Sequence, residues 1–176
     1  LINALAGGAE QVNEDFANAA QEVQNKLSIV TNGTDDLNNT FDQLVGVATN
    51  ARVGLDGVAE LYQKLNLATQ DMNVSQTELV TVTETFSKML TLAGTSPQGA
   101  EGAIRQLGQA LASGAFRGDE FNSVVEAAPQ ILDLLAQQTG VTRGEVRALA
   151  ADGKLTADVL INALAGGAEQ VNEDFA

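Results

Sequence analysis

Apolar residues recur along this chain at helical spacing, and no stretch alternates apolar and polar with a period of two. Leu37, Phe41, Leu44, Val45 and Ala48 fall on one predicted face, and Val58, Leu61, Tyr62 and Leu65 on another. Leu79, Val82, Phe86, Met89, Leu90 and Ala93 form a third, and Ile104, Leu107 and Leu111 a fourth. Shorter apolar groups follow: Phe121, Val124 and Val125, then Ile131, Leu132 and Leu135, then Val146 and Leu149.

Start and stop signals divide these faces. The stretch from Leu1 to about Val30 reads as one long helix that breaks near Asn32-Gly33. Thr34 is expected to cap the next helix, with Asp35 and Asp36 in a first turn where negative charge suits the helix dipole. Met72-Asn73 is expected to close the helix after Gly54. Ser75 to Glu78 and Thr142 to Glu145 both spell capping boxes, in which hydroxyl and carboxylate each satisfy an orphan N–H. Ser96-Pro97 is an N-cap followed by proline at a position that needs no N–H. Gly94, Gly114, Gly140 and Gly153 mark stops, Pro129 interrupts a helix, and Thr156 is expected to cap the last one. The expectation is an all-α compact bundle of about seven or eight helices joined by short Gly/Ser/Thr-capped turns.

Residues 1–17 and 160–176 are identical, both reading LINALAGGAEQVNEDFA. Shared spacing alone does not produce identity over a whole segment, so the copy has its own origin. It fits a tandem array, a copied or engineered terminal segment, or one copy docking on a neighbouring molecule where the other docks at home. One groove cannot hold both copies. One of them is therefore expected to pack less well or to make contacts outside the domain. The glycine pair, Gly7-Gly8 or Gly166-Gly167, sits inside a predicted helix at a cost of about 1 kcal/mol each against alanine. Close approach of another helix, or a kink, is the simpler reason for it; a hinge is the functional one.

Composition narrows the chemistry. The chain has 176 residues, enough for one domain with a real core. Its 44% hydrophobic residues are mostly small or straight aliphatics, and only 4% of residues are aromatic. With no Cys there is no disulfide, no thiolate nucleophile and no zinc site of the usual kind. With no His, the side chain best matched to proton transfer near neutrality is absent. Nine basic against 23 acidic residues give a formal charge of −14, which disfavours nucleic acid and anionic membrane surfaces as partners. The absence of an initiating Met suggests a piece of a longer protein. No signal peptide is expected, and no window has the roughly 18 to 20 apolar residues of a membrane span.

Three motifs with possible chemistry read better as ordinary structure. Asp152 to Thr156 resembles the middle of a calcium-binding EF-hand loop. Ala148, Ala150 and Val159 would then stand where oxygen ligands are needed, so a helix–glycine turn–helix connection is the better reading. The acid pairs Asp35/Asp36 and Asp119/Glu120 suit helix first turns, and Arg117-Gly118-Asp119 sits at a helix entrance. No catalytic, cofactor-binding or metal-binding residue is assigned. A cell-wall hydrolase would need two carboxylates in a cleft, one with a raised pKa, and nothing in the chain points to one.

The segment from Ala115, AFRGDEFNSVVEAAPQILDLLAQQTGVTRGEVRALAADGKLTADVLINAL, resembles the most characteristic block of the tape measure protein N-terminal domain family. Its marks are the Arg-Gly-Asp-Glu entrance, the Asn-Ser-Val helix, a proline, Gly-Val-Thr and Gly-Lys-Leu-Thr. Upstream, Gly54 to Gly57, Leu61 to Leu65, Ser75 to Leu92, Ala93-Gly94 and Gln109 to Gly114 also match it. The resemblance covers about residues 26–176. It divides the chain into residues 1–25, an N-terminal helix whose first 17 residues duplicate the C-terminus, and residues 26–176, a tape measure helical domain. By resemblance, residues 1–17 belong only at the C-terminal end of the block.

The resemblance implies a non-enzymatic virion structural protein of a bacteriophage tail. Such a protein sets tail length during assembly and takes part in genome delivery. Its implied partners are tail tube and tail assembly chaperone proteins, with self-association through 1–17/160–176 as a further possibility. The implied location is the tail lumen, after assembly in the host cytoplasm, with delivery to the host envelope at infection. A generic helical adaptor or scaffolding module is the alternative reading.

Overall fold

The computed structural model describes residues 17–176. Residues 17–27 are helical, and nine further helices follow: α1 (Thr34–Ala51), α2 (Leu55–Ala68), α3 (Gln76–Leu92), α4 (Pro97–Ser113), α5 (Gly118–Ala127), α6 (Ile131–Thr139), α7 (Arg143–Ala151), α8 (Ala157–Gly166) and α9 (Ala168–Phe175). The all-α class is as expected, but the number of helices exceeds seven or eight. The expected last helix is two, because the chain breaks at Gly167. There a Cβ would lie 2.4 Å from Leu134 Cδ2, so any larger residue would have to displace the Leu134 side chain. Close approach is thus the role of Gly167, while the space at Gly166 is open. Among the described residues the only β pairing is one isolated bridge between Ala115 and Thr156, next to which the Phe116 N–H donates to the Leu155 carbonyl at 2.7 Å.

α3 is the hub. It packs against α1 and α2 on one side and against α8 and α9 on the other. Its inward residues Val82, Phe86, Met89 and Leu90 are essentially inaccessible to solvent. Thr83, Thr85 and Ser87 are buried as well. Thr83 Oγ1 donates to the Leu79 carbonyl at 2.7 Å and Thr85 Oγ1 to Thr81 at 2.8 Å, so the two threonine hydroxyls are satisfied within the helix, while the Ser87 hydroxyl meets no partner among the described residues. α4 lies across α2 and then carries α5, while α6 joins α7 and α8. Helix 17–27 straddles the expected domain boundary between residues 25 and 26 and sends Val23 and Leu27 into the core.

Several caps depart from their expected form. Gly33, not Thr34, is the N-cap of α1; its φ of 90° leaves Thr34 already helical, with no side-chain cap bond. The return bond is made instead by Asp36, whose carboxylate accepts from the Asn32 N–H at 2.7 Å. Ser75 caps α3 by accepting from Glu78 N, the hydroxyl half of the expected box. At α7 the box is complete: Thr142 Oγ1 accepts from Glu145 N, and the Glu145 carboxylate accepts from Thr142 N at 2.8 Å. Thr156 stands at the N-cap of α8, but its hydroxyl bonds the Asp158 carboxylate and caps no backbone group. α2 ends at Ala68, before the expected stop at Met72-Asn73.

The core faces of α2, α4, α5 and α6 are those the spacing predicts, with Val58, Leu61, Tyr62, Leu65, Ile104, Leu107, Leu111, Phe121, Val124, Val125, Ile131, Leu132 and Leu135 buried. Ala93 is exposed because α3 ends before it. The face of α1 is turned from expectation. Val45 is 37% exposed, while Thr40 and Val47 point inward. Gln76 Nε2 donates to Thr40 Oγ1 at 2.5 Å, tying this inward face of α1 to the start of α3. The Tyr62 hydroxyl meets the same group, with Thr40, Asn66 and Gln76 around it. Burial nevertheless pushes the phenol above its ordinary value of 10.0.

Candidate functional site

The motifs singled out for their chemistry fall in ordinary structural roles. Asp152 to Thr156 forms a turn between α7 and α8, with Gly153 at φ 67° and Asp152 paired to Lys154 at 3.0 Å. Asp35, Asp36, Asp119 and Glu120 lie in the first turns of α1 and α5. Among the described residues no three acidic side chains come together as a metal site. A surface recess of about 580 Å³ runs between the C-terminal ends of α2 and α4, beside the 46%-exposed Leu67. Across its floor the Lys64 stem lies over Gly108, where a Cβ would meet Lys64 Cδ at 2.0 Å. It holds no converging acid and base.

A more specific arrangement surrounds the C-terminal copy of the repeat. Leu160, Ile161, Ala163 and Leu164 of α8 and Val171 of α9 are buried. They pack against α3 and α6. At the end of the copy the contacts become polar. Lys88 donates to Asn172 Oδ1 at 2.8 Å, pairs with Glu84 at 2.7 Å, and lies 5.5 Å from the Phe175 ring centre. The Arg52 guanidinium covers the same ring at 5.7 Å. The copy thus occupies a defined seat made by α3, α6 and Arg52. Spacing in the sequence revealed neither Lys88 nor Arg52 as part of it. Lys88 stands four residues from Glu84, which reads as a surface helix pair, and a single sequence contains no signal joining it to residue 172. The first copy, apart from Ala17, lies outside the described residues, so the expectation that one copy packs less well falls there too.

The surface is predominantly acidic. Five of the nine basic side chains, Lys26, Lys64, Lys88, Arg143 and Lys154, are held by neighbouring carboxylates. That leaves, among the described residues of this −14 chain, four basic side chains, Arg52, Arg105, Arg117 and Arg147, outside such pairs. No described helix is long and apolar enough to cross a membrane.

No curated protein and no solved structure matches the chain. The tape measure protein family does, over residues 2–176, a span that takes in the C-terminal copy of the repeat and all of the first but Leu1. The block around residues 115–164, the helical fold and this end-to-end match agree, and the chain belongs to the tape measure protein family, structural proteins of phage tails.

Proposed function

We propose that this chain is a globular helical domain of a tail tape measure protein, acting in tail length determination, tail assembly and genome delivery. The match over residues 2–176 carries this reading. In it, residues 26–176 are the domain proper and tail tube and tail assembly chaperone proteins are its partners. The protein is assembled in the host cytoplasm, resides in the tail lumen, and reaches the host envelope at infection. The role is structural and not enzymatic. The charge of −14 supports a lumen site, since DNA leaving through the tail would be repelled by its wall and not retained.

Mass spectrometry of purified particles from the phage that encodes this chain tests the reading. Its peptides are expected in intact tails at a few copies per particle and lost from particles that have ejected their DNA. Their absence from intact tails would overturn it. An in-frame deletion of the codons for residues 26–176 is expected to abolish tails of normal length.

A further inference from the structure

Asn32-Gly33 is the one asparagine–glycine step in the sequence. It falls in the connection between helix 17–27 and α1, and both residues are exposed. The chemistry of such a step depends on what surrounds two atoms, the Asn32 side-chain carbonyl carbon Cγ and the Gly33 backbone nitrogen. Bonding between them would close a five-membered ring.

Three observations leave that closure open. Gly33 has no side chain to shield its nitrogen, and a Cβ built on it would meet nothing within 4 Å, so no neighbour crowds the step. Asn32 is anchored through its backbone N–H, which donates to Asp36 Oδ2 at 2.7 Å. Among the described residues, neither the Asn32 side-chain amide nor the Gly33 N–H has a hydrogen-bond partner. Finally, the step lies outside the helical ladder, with Gly33 at φ 90° and ψ 176°. The other described asparagines are placed differently. All but Asn73 lie within helices, whose regular backbone holds the following nitrogen away from the side chain. Asn73 is followed by Val74, whose branched side chain shields the nitrogen.

We propose that Asn32 is a site of spontaneous covalent modification, in which its amide is exchanged for an acid through a cyclic imide. The Gly33 nitrogen loses its proton to hydroxide and bonds to Asn32 Cγ. The Cγ–Nδ2 bond breaks, and the departing nitrogen takes a proton from water and leaves as ammonia. Water then opens the ring. Cleavage between Cγ and the Gly33 nitrogen leaves aspartate. Cleavage between the Asn32 main-chain carbonyl carbon and that nitrogen leaves isoaspartate, whose backbone runs one methylene longer. Either product adds a negative charge to a chain already at −14, next to Asp35 and Asp36 in the first turn of α1. The isoaspartyl form also displaces the N–H that Asp36 accepts. The protein thus ages into acidic forms at the entrance to α1.

The test follows the full folded chain during incubation in mildly alkaline buffer. Acidic species are resolved by anion exchange, located by peptide mass spectrometry, and probed by isoaspartyl methyltransferase labelling. The acid-for-amide mass gain is expected at Asn32 before any other asparagine, and faster as pH is raised. Its rate is expected to lie within about tenfold of that in the urea-unfolded chain, since a loop opens at little cost. Asn32→Gln is expected to abolish both the early acidic species and the labelling. Modification that begins at another asparagine, or a folded rate below that range, would overturn the proposal. So would an early acidic species that persists in Asn32→Gln, or a chain that stays unmodified throughout.

Discussion

The two sides of α3 are built differently. Its Val82, Phe86, Met89 and Leu90 lie in one core cluster with Leu61, Tyr62 and Leu65 of α2, all of them almost without solvent contact. That side is held by volume, and every side chain has one place to be. Toward α8 and α9 the buried Leu160, Ile161, Leu164 and Val171 are joined by directed contacts: Lys88 on Asn172, and Lys88 and Arg52 over Phe175. A volume-filled interface belongs to the chain that fills it. On the α8–α9 side a few directed contacts add to the buried apolar surface.

The largest expected effect lies on the volume-filled side. Phe86→Ala is expected to cost about 3–5 kcal/mol, measured by urea denaturation, because the packed core around it cannot collapse into the space. Leu134→Ala, on the other side, is expected to cost less, about 2–3 kcal/mol, since the Gly167 backbone already stands against it and relaxes into part of the gap. Equal losses at the two positions would erase the distinction between the sides.

Tyr62→Phe sharpens the description of the volume side by removing its one phenol, at about 1 kcal/mol. Burial raises the Tyr62 pKa above 10.0, so the folded state favours the neutral phenol. The resulting stability is fully present below pH 10.0 and is lost as pH rises through the higher folded value. The alkaline fall in melting temperature is therefore expected to be shallower in Tyr62→Phe.

On the contact side, Lys88→Met is expected to cost about 0.5–1 kcal/mol, with a smaller dependence on added salt than the parent shows. The smallest effect compares the two capping motifs. The Glu145 carboxyl is held below its ordinary value of 4.5 by the Thr142 backbone N–H and then by the Thr142 hydroxyl. Its contribution is present above pH 4.5 and lost as pH falls through the lower folded value. Glu145→Gln, which removes the titrating carboxyl, is therefore expected to flatten the acid limb of the melting curve. Ser75→Ala, removing a cap without the return bond, is expected to lower the whole curve without changing its shape.

Much of this architecture is legible in the chain because its signals are local. The stripe Val58, Leu61, Tyr62 and Leu65 is a matter of helical spacing, and Ser96-Pro97 and Gly114 bound α4 where local backbone chemistry puts them. The departures occur where a distant residue decides. Thr40 points inward and meets Gln76 of another helix, and Gly167 has Leu134 of α6 standing where a Cβ would go. The seat was illegible for the same reason: Arg52, Lys88 and Leu134 come together only through the packing of three helices. What the sequence did expose was the repeated segment itself, which is the half of the site that needs no folding to be seen.

The single bridge near Ala115 has a consequence for how the molecule comes apart. By joining the Phe116 amide to the Leu155 carbonyl, it fastens the start of the α5–α7 stretch to its end. Both residues are buried, and the Phe116 ring meets Phe121 edge-on at 5.1 Å. A stretch fastened at both ends has no free edge from which to fray, so it opens all together or not at all. In native-state hydrogen exchange the amides of α5, α6 and α7 should share one opening free energy, with the Phe116 amide reporting the moment the clasp lets go.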